Sequence, residues 1–543
     1  TQVNVNVGGG AEDTLRNIEN VIGGAGADTL FGDSAANILI GNDGADTIDG
    51  GAGNDTITAQ LNDNGVDTYS GGADIDTLII DSTGNTTLDL SGGTLTQGGF
   101  VDVYGGGFEI ITATGFDDVV IDDETMDNTI DLGAGENSIS FAGHTQDVIM
   151  DLTSETDIGG TMYARANIGG TDADYVAGAT HLTGGQGDDT LTVGIGAQTI
   201  DGGLGNDEIF AGAGIDYLYG GAGNDILRGE AGDDFMFGGI GDDTFFGGLG
   251  DDTMDGEGGV DAMSFAGAGA AVTVDLTVVV GGYVQVAHDG ETDSIRNIEV
   301  IEGTDYDDTF IGNTADNEFI GGLGNDVFRG GLGDDTMDGQ GGVDTVSYGD
   351  LATGLNIDLG AVDGNGYTVI DLGAGENDYI KNIEIVEGTT GNDTITGNAD
   401  DNKLTGNAGD DSIDGGAGLD TITFFNAAGA IVLNLNGVTN VDGFLVVDMG
   451  GGETDYVKNV ENIEGTNFGD EIYGNADDNI ISGGSGNDKM VFSEGNDTIY
   501  GDAGEDWMFF SNSAVLTDTI AESSWGVSFD MSVNEGGSED TVV

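Results

Sequence analysis

The 543-residue chain has no cysteine, no proline, and only nine lysines and arginines. Without cysteine there is no disulfide staple and no thiol nucleophile, so the fold must be held by something else. Without proline every backbone N–H is kept, which suits a chain that spends its donors in strand ladders; its absence from loops as well has no such reason. The few cations face 101 Asp and Glu, a formal charge of −92. No basic patch exists to release counterions from a phosphate backbone, which excludes nucleic acid and disfavours an anionic membrane surface. No run of about 18 apolar residues and no basic, apolar leader is present, so neither a membrane span nor an N-terminal export signal is expected. The chain starts at Thr1, so a leader or a larger N-terminal region could precede it.

Catalytic signatures are missing too. The histidines, His144, His181 and His288, are scattered and form no H-E-x-x-H. No serine stands in a G-x-S-x-G elbow, and the glycine-rich hexads lack the Gly-Lys-Ser/Thr ending of a phosphate loop. Paired carboxylates are unavoidable at 20% charged residues, and a glycosidase pair among them is not the reading they favour. The outward residues vary too much for the flat threonine array of an ice-binding surface. The expectation is that the protein is not an enzyme.

What is abundant is glycine, 105 residues, together with aspartate at a strict nine-residue period. That period separates the chain from acidic disorder. Five uninterrupted runs, 23–58, 184–264, 303–347, 388–423 and 465–509, hold 27 nonapeptides. In this register the eighth position is apolar in all 27, for example Leu30, Ile48, Leu227, Phe245, Met337, Ile413 and Met508. The sixth is Asp in 22 and the fourth is Gly in 21. Each unit, such as GGAGNDILR from Gly220 to Arg228, divides into a six-residue turn and a three-residue strand whose middle side chain points inward. Two units close one coil. Glycine serves where the turn needs φ > 0 and where carbonyls approach a shared ion. Aspartate supplies a short, hard oxygen ligand, which suits calcium better than the stricter octahedra of magnesium. A folded chain of this charge also needs cations to limit self-repulsion.

At these residues the chain resembles the repeats-in-toxin (RTX) family, whose nonapeptide is G-G-x-G-x-D-x-U-x, with U a large apolar residue. The resemblance covers 243 residues directly. It implies an all-β fold, a right-handed parallel β-roll or solenoid with calcium between successive Gly/Asp-rich turns. The metal ligands it implies are Asp28, Asp46 and Asp55 in the first run; Asp189, Asp207, Asp216, Asp225, Asp234, Asp243, Asp252 and Asp261 in the second; Asp308, Asp326, Asp335 and Asp344 in the third; Asp393, Asp411 and Asp420 in the fourth; and Asp470, Asp488, Asp497 and Asp506 in the fifth. An ion between repeats n and n+2 would give roughly 17 Ca2+, cancelling about 34 charges. Asn37, Asn317, Asn402 and Asn479 stand in the second repeat of four runs and Gln198 in that of the longest. Those turns are expected to bind weakly or not at all, as tolerated turn residues where a roll begins.

The domain reading follows the runs: 1–58, a partial module with the first run; 59–183, an eroded, metal-poor β-solenoid; 184–264, the longest run; 265–347, 348–423 and 424–509, three modules each ending in a run; and 510–543, a C-terminal β segment. Each module opens on an apolar segment, as at Met263, Val346 and Ile422. It closes on a basic residue followed by Asn-apolar-Glu, as in Arg296-Asn297-Ile298-Glu299, Lys381-Asn382-Ile383-Glu384 and Lys458-Asn459-Val460-Glu461; Arg16-Asn17-Ile18-Glu19 repeats it. The basic residue is expected to compensate carboxylates at the entrance to each roll. In 59–183, Phe108-Glu109-Ile110 and Gly115-Phe116-Asp117-Asp118 echo the closing pattern, and Thr86–Leu90 and Val148–Leu152 alternate as strands. No helix is expected.

At the ends, GGGAEDTL near Thr1 matches EGGSEDTV near Val543. Head-to-tail stacking into a filament would complete both modules; a fragment of a longer array, or a processing boundary, would leave the same ends. Asp540-Thr541-Val542-Val543 resembles the terminus of type I secretion substrates, and equally an ordinary strand. The composite expectation is a calcium-binding structural protein outside a bacterial cell: a surface-layer, matrix or filament subunit with calcium and further copies as partners. The alternative is the C-terminal repeat region of a larger secreted adhesin, toxin or enzyme.

Overall fold

Three strand residues between glycine-rich turns leave room for one inward side chain, and the structure is built on that count. The computed structural model describes residues 3–7, 13–15, 18–61, 65–97, 100–122, 127–158, 161–169, 172–437, 439, 442–450, 452–492, 497–510 and 519–521. Among the described residues every regular element is a β-strand, as the composition leads one to expect. The chain divides into two units. One is Thr1–Ser264 with Gly281–Gln285 and Gly290–Ile298; the other is Phe265–Val280 with Val286–Asp289 and Glu299–Val543.

In the first unit the longest run forms two parallel ladders. Leu191, Ile209, Leu227, Phe245 and Met263 face one another in register along one ladder, and Ile200, Leu218, Met236 and Met254 along the other. Partners are 18 residues apart, so two nonapeptides make one coil. These side chains are at most 1% exposed, and with the buried Val193 and Ala211 they form the core of the run. The residues on either side of most column residues stay half-buried or exposed, as in Tyr217–Ala222 and Thr244–Leu249; Asp255 beside Met254 and Ser264 beside Met263 are buried. This is a parallel β-roll.

The eroded stretch of the first unit keeps the parallel stacking and lengthens the coil with antiparallel excursions. Thr77–Asp81 stacks on Thr56–Gln60, and Val119–Ile121 on Thr87–Asp89. Between these, Thr87–Asp89, Thr94–Gln97 and Phe100–Tyr104 run antiparallel, as do Val148–Ile158, Thr161–Ile168 and Asp172–Ala177. The connections are short enough for the chain to turn straight back, which parallel pairing does not allow. The alternating segments at Thr86–Leu90 and Val148–Leu152 are the strands Thr87–Asp89 and Val148–Ile158.

The second unit repeats the scheme with shorter runs. Phe310, Phe328 and Val346 stack in one ladder, and Phe319 and Met337 in the other. Each following module inserts a hairpin, Thr368–Gly373 with Glu376–Lys381 and Leu445–Asp448 with Thr454–Lys458. The second strand then rejoins the ladder, placing Ile380 on Met337 and Val457 on Ile413. Met508 departs from the core column in being only half-buried. Near the start, Val3–Val7 pairs antiparallel with Asp13–Leu15 and with Asp28–Phe31. The Arg16-Asn17 pair, most of the C-terminal segment, and the residues Asp540–Val543 lie outside the described residues.

Candidate metal centres

The turn between two strands is shaped by what a β-carbon would strike. In the repeat from Gly220 to Arg228, Gly221 and Gly223 have φ of +110° and +138°. A β-carbon on Gly223 would overlap the carbonyl oxygen of Gly205 in the coil before. One built on Gly220 would press on Asp225 Oδ2 and lie 2.6 Å from the carbonyl oxygen of Gly238 in the coil after. Three conditions meet in this turn: left-handed backbone, close stacking of carbonyls, and a carboxylate folded back over them. Together they leave a cradle walled only by oxygen.

The sixth-position aspartates line that cradle. From Asp28 to Asp497 all those predicted as ligands are at most 2% exposed, while Asp506 is half-buried. Their first oxygen is used in a ladder. The N–H of Asp207 donates to Asp225 Oδ1 at 2.7 Å, that of Asp225 to Asp243 Oδ1 at 2.8 Å, and so on from coil to coil. The second oxygen is different. In Asp55, Asp207, Asp216, Asp225, Asp234, Asp243 and Asp252, and in Asp326, Asp335, Asp344, Asp411, Asp420, Asp488 and Asp506, Oδ2 is buried with no protein hydrogen-bond donor. Burial, reinforced by the charges of Asp189, Asp225 and Asp188 and opposed by the Asp189 N–H, pushes the Asp207 carboxyl up to about 8. Burial likewise pushes Asp243, Asp252, Asp326, Asp411 and Asp488 up to about 7, and Asp216, Asp225, Asp234, Asp335, Asp344 and Asp420 up to about 6.

A column of buried carboxylate oxygens without donors is costly unless a cation compensates it. The donor set, one aspartate oxygen with glycine carbonyls, contains no nitrogen or sulfur and suits a hard, weakly directional ion such as calcium. Among the described residues no three His, Asp or Glu side chains converge as a cluster. The site is therefore made of stacked backbone and one carboxylate per turn.

The first two turns of each run are built otherwise. In the first, the N–H of the second residue donates to Oδ2 of the aspartate: Gly24 to Asp28 (2.6 Å), Gly185 to Asp189 (2.5 Å), Thr304 to Asp308 (2.6 Å), Thr389 to Asp393 (2.7 Å) and Thr466 to Asp470 (2.6 Å). In the last three the buried threonine hydroxyl adds a bond at 2.9–3.2 Å. Burial still raises the carboxyls of Asp308, Asp393 and Asp470, but these donors oppose it. In the second turn of four runs an asparagine oxygen accepts the same bond, from Asp33, Asn313, Asn398 and Asn475 to Asn37, Asn317, Asn402 and Asn479 at 2.8–3.0 Å.

Other members of the site escape a sequence reading. The fifth position carries a second ladder of opposite sense. Asp188 Oδ1 accepts from Asn206 N–H (2.8 Å), Asn206 from Asn224 (2.7 Å), Asn224 from Asp242 (2.9 Å) and Asp242 from Val260 (2.9 Å). Within the modules Asp293, Asp378 and Asp455 continue the sixth-position ladder, accepting from Asp252, Asp335 and Asp411. Glu384 and Glu461 take the same role toward Asp344 and Asp420. Their signal was the surviving Asp-x-apolar spacing in DSIR, DYIK and DYVK. In 59–183, Asp67 is held by the Tyr69 hydroxyl at 2.8 Å and Asp118 by Thr86 and Thr114 at 2.6–2.8 Å. Asp117, by contrast, is exposed.

The module cations sit beside the ladders. Arg296 pairs with the buried Asp255, Lys381 with Asp338 at 3.1 Å and Lys458 with Asp414 at 2.8 Å. Each lies over a ring, Tyr283, Tyr367 and Phe444, at 4.4–5.2 Å from the centroid. The adjoining Asn297, Asn382 and Asn459 adopt φ of +51° to +53° and donate their amides to the same aspartates at 2.7–2.8 Å.

Compared with protein-family models, the chain matches the RTX calcium-binding nonapeptide repeat at residues 22–57, 174–209, 201–236, 210–245, 229–263, 297–328, 311–346, 387–422, 460–491 and 493–512. Comparison with curated proteins finds no match.

Proposed function

Because the chain belongs to the RTX calcium-binding repeat family, we propose that it is an extracellular structural protein of a bacterium, a surface-layer, matrix or filament subunit that calcium folds and staples. Calcium binding is the property of the repeats themselves; the compartment, the role and self-association are the proposal. The observation that carries it is the column of buried carboxylates from Asp207 to Asp252 whose outer oxygens lack a protein donor. A chain that repeats one pocket in run after run invests its polar interior in a scaffold, and the carboxylates are assigned to ligation rather than to catalysis.

When bound, calcium supplies the positive charge that lets these carboxylates stay ionised in the interior. The chain's residues do the remainder. Gly220 and its equivalents let the carboxylate fold onto the backbone, and the Asp207 N–H fixes Asp225 through Oδ1 so that Oδ2 faces the cradle. Modules of this oxygen-ligand type work at roughly 0.1 to 1 mM calcium, a level found outside cells, so the coils form after export.

The test is circular dichroism of the purified chain in chelator and at about 1 mM calcium, followed by electron microscopy in calcium. Cooperative gain of β signal is expected, since binding free energy becomes folding free energy. Full β signal in chelator would end the folding role of the metal. Monodisperse monomers of unchanged mass with and without calcium would end the subunit reading.

A further inference from the structure

The backbone sorts the turns into two classes with one boundary per run. From the third turn onward every described second-position residue has a left-handed φ, including the non-glycines Asn42 (+65°), Glu230 (+72°), Gln340 (+59°) and Asn407 (+66°). In the first two turns of all five runs it does not: Gly24, Gly185, Thr304, Asn313 and Asn398 are among those outside the left-handed region. The same boundary divides the carboxylates. In third and later turns such as those of Asp225, Asp335 and Asp411, Oδ2 lacks a protein donor. In nine of the ten first and second turns the second-position N–H points at the sixth side chain and bonds it, as in Thr389 to Asp393 and Asn398 to Asn402; the exception is the second turn of the longest run, where Gln198 Oε1 is buried with no protein donor.

We infer that these closed first and second turns are ion-free caps that start the calcium stack, that the backbone sets where the stack begins, and that the threonine and asparagine side chains stabilise the closed form. The inference rests on calcium occupying the later turns, as proposed above. A negative φ at the second position turns its N–H inward, where it fills the place that an ion would take beside Oδ2. A threonine there adds its hydroxyl: Thr389 Oγ1 lies 3.1 and 3.2 Å from the two oxygens of Asp393 and also accepts from the Gly391 N–H at 2.9 Å. In four runs the other carboxylate oxygen is taken by the preceding segment, as in Leu355 N–H to Asp393 Oδ1 at 2.6 Å and Val272 N–H to Asp308 Oδ1 at 2.7 Å, whereas Asp28 Oδ1 in the first run has no protein donor. Asp393 is thus fully engaged by protein donors. In the second turn asparagine accepts the inward N–H and brings no charge that would need an ion.

A reason for the boundary lies in the coil before. An open turn stacks its second and fourth glycines on carbonyls of an equivalent turn 18 residues earlier, as Gly409 does on Gly391. The first two turns of a run follow an inserted module rather than such a turn, so half of the oxygen wall is missing there. The protein closes those turns with its own donors.

Ion counting by native mass spectrometry of the calcium-loaded full chain tests this. The variant T304V/T389V/T466V should keep the wild-type ion count while its calcium midpoint rises roughly two- to ten-fold, because three buried carboxylates lose a hydroxyl donor. The variant N317D/N402D/N479D should gain no ions and also fold at higher calcium. D326N/D411N/D488N, all in open turns, should lose about three ions, one per turn. A drop in ion count for the threonine variant, or one added ion per asparagine replaced, would overturn the inference. A wild-type chain that carries no calcium would instead refute the calcium reading itself.

Discussion

At the level of single residues, position within the run decides what an aspartate is worth. Asp225 and Asp234 lie in consecutive open turns, at most 1% exposed, with Oδ2 lacking a donor. Asp225→Ala and Asp234→Ala should each raise the calcium midpoint several-fold, whereas Asp117→Ala should move it less than about two-fold, as an exposed side chain does. The structure sharpens that comparison: the exposed Asp117 accepts from the Glu136 N–H at 3.0 Å and from the Asn85 amide at 3.5 Å, and the buried carboxylate of that turn is its neighbour Asp118. Titrating the β signal with calcium for each variant checks it, and equal shifts would sink the assignment. The sixth and eighth positions were legible because one column is nearly all aspartate and the other is apolar throughout. The fifth was not, because Asn206, Asn224, Asp242 and Val260 look variable until they are read 18 residues apart. Val260 donates only its N–H and therefore ends its column at no cost. The threonines escaped for a related reason: Gly-Thr reads as a run's first two letters, and nothing in the letters says that the hydroxyl faces a carboxylate four residues on.

At the level of the element, each roll gives way to a module whose closing cation is tied down from three sides. Lys458 pairs with Asp414 at 2.8 Å and lies 4.4 Å from the centre of the Phe444 ring, while the Asn459 amide holds the other carboxylate oxygen at 2.7 Å. Both charges are partly shielded, with Lys458 29% and Asp414 19% exposed. Their pairing should therefore exceed a surface ion pair without reaching the value of a fully buried one. Lys458→Met is expected to cost about 1 to 2 kcal/mol, read as a lower Tm in saturating calcium with an unchanged number of ions. Loss of ions together with Tm would show that the cation helps to form a metal turn instead. The basic residue and its Asn-apolar-Glu tail stood out in the sequence, and compensation of carboxylates was the expected role. Its aromatic partner did not stand out, because a hairpin separates Phe444 from Lys458 in the chain and only the antiparallel pairing of Leu445–Asp448 with Thr454–Lys458 brings them together. Insertions of this kind are also why the coils between the runs were foreseen only in outline: periodicity shows where the nonapeptide fails, and the geometry of what replaces it depends on pairing that no fixed spacing encodes.

For the molecule as a whole, the same carboxylates that need calcium at neutral pH should release that need in acid. Burial raises Asp207 to about 8, Asp243, Asp252, Asp326, Asp411 and Asp488 to about 7, and Asp216 and Asp225 to about 6, against about 3.9 in an unfolded chain. A folded-state value above the unfolded one means that the native state binds the extra protons. In the metal-free chain the favourable contribution is therefore complete below about pH 4 and is lost as pH rises through 6 to 8. Falling net charge, from −92 at neutral pH, acts in the same direction by relieving self-repulsion. In chelator, lowering pH from 8 to about 5 should thus recover part of the β signal. Working above the sequence isoelectric point of 4.1 keeps the chain from precipitating. With calcium present the sign reverses: the ion favours the ionised carboxylates, protons compete with it, and the calcium midpoint should rise as pH falls. Buried carboxylates are separated from general charge by the variant D207N/D225N/D243N, which makes neutral three neighbouring open turns as Asn317 and Asn402 already do in closed ones. It removes only three of the 101 acids, so general repulsion is almost unchanged. In chelator at pH 7.5 it should nevertheless show more β structure than the wild type, and its acid recovery should be smaller. A chelated wild-type chain equally unfolded across the whole range, or a variant indistinguishable from it, would show that the protonation of buried aspartates does not control the metal-free fold.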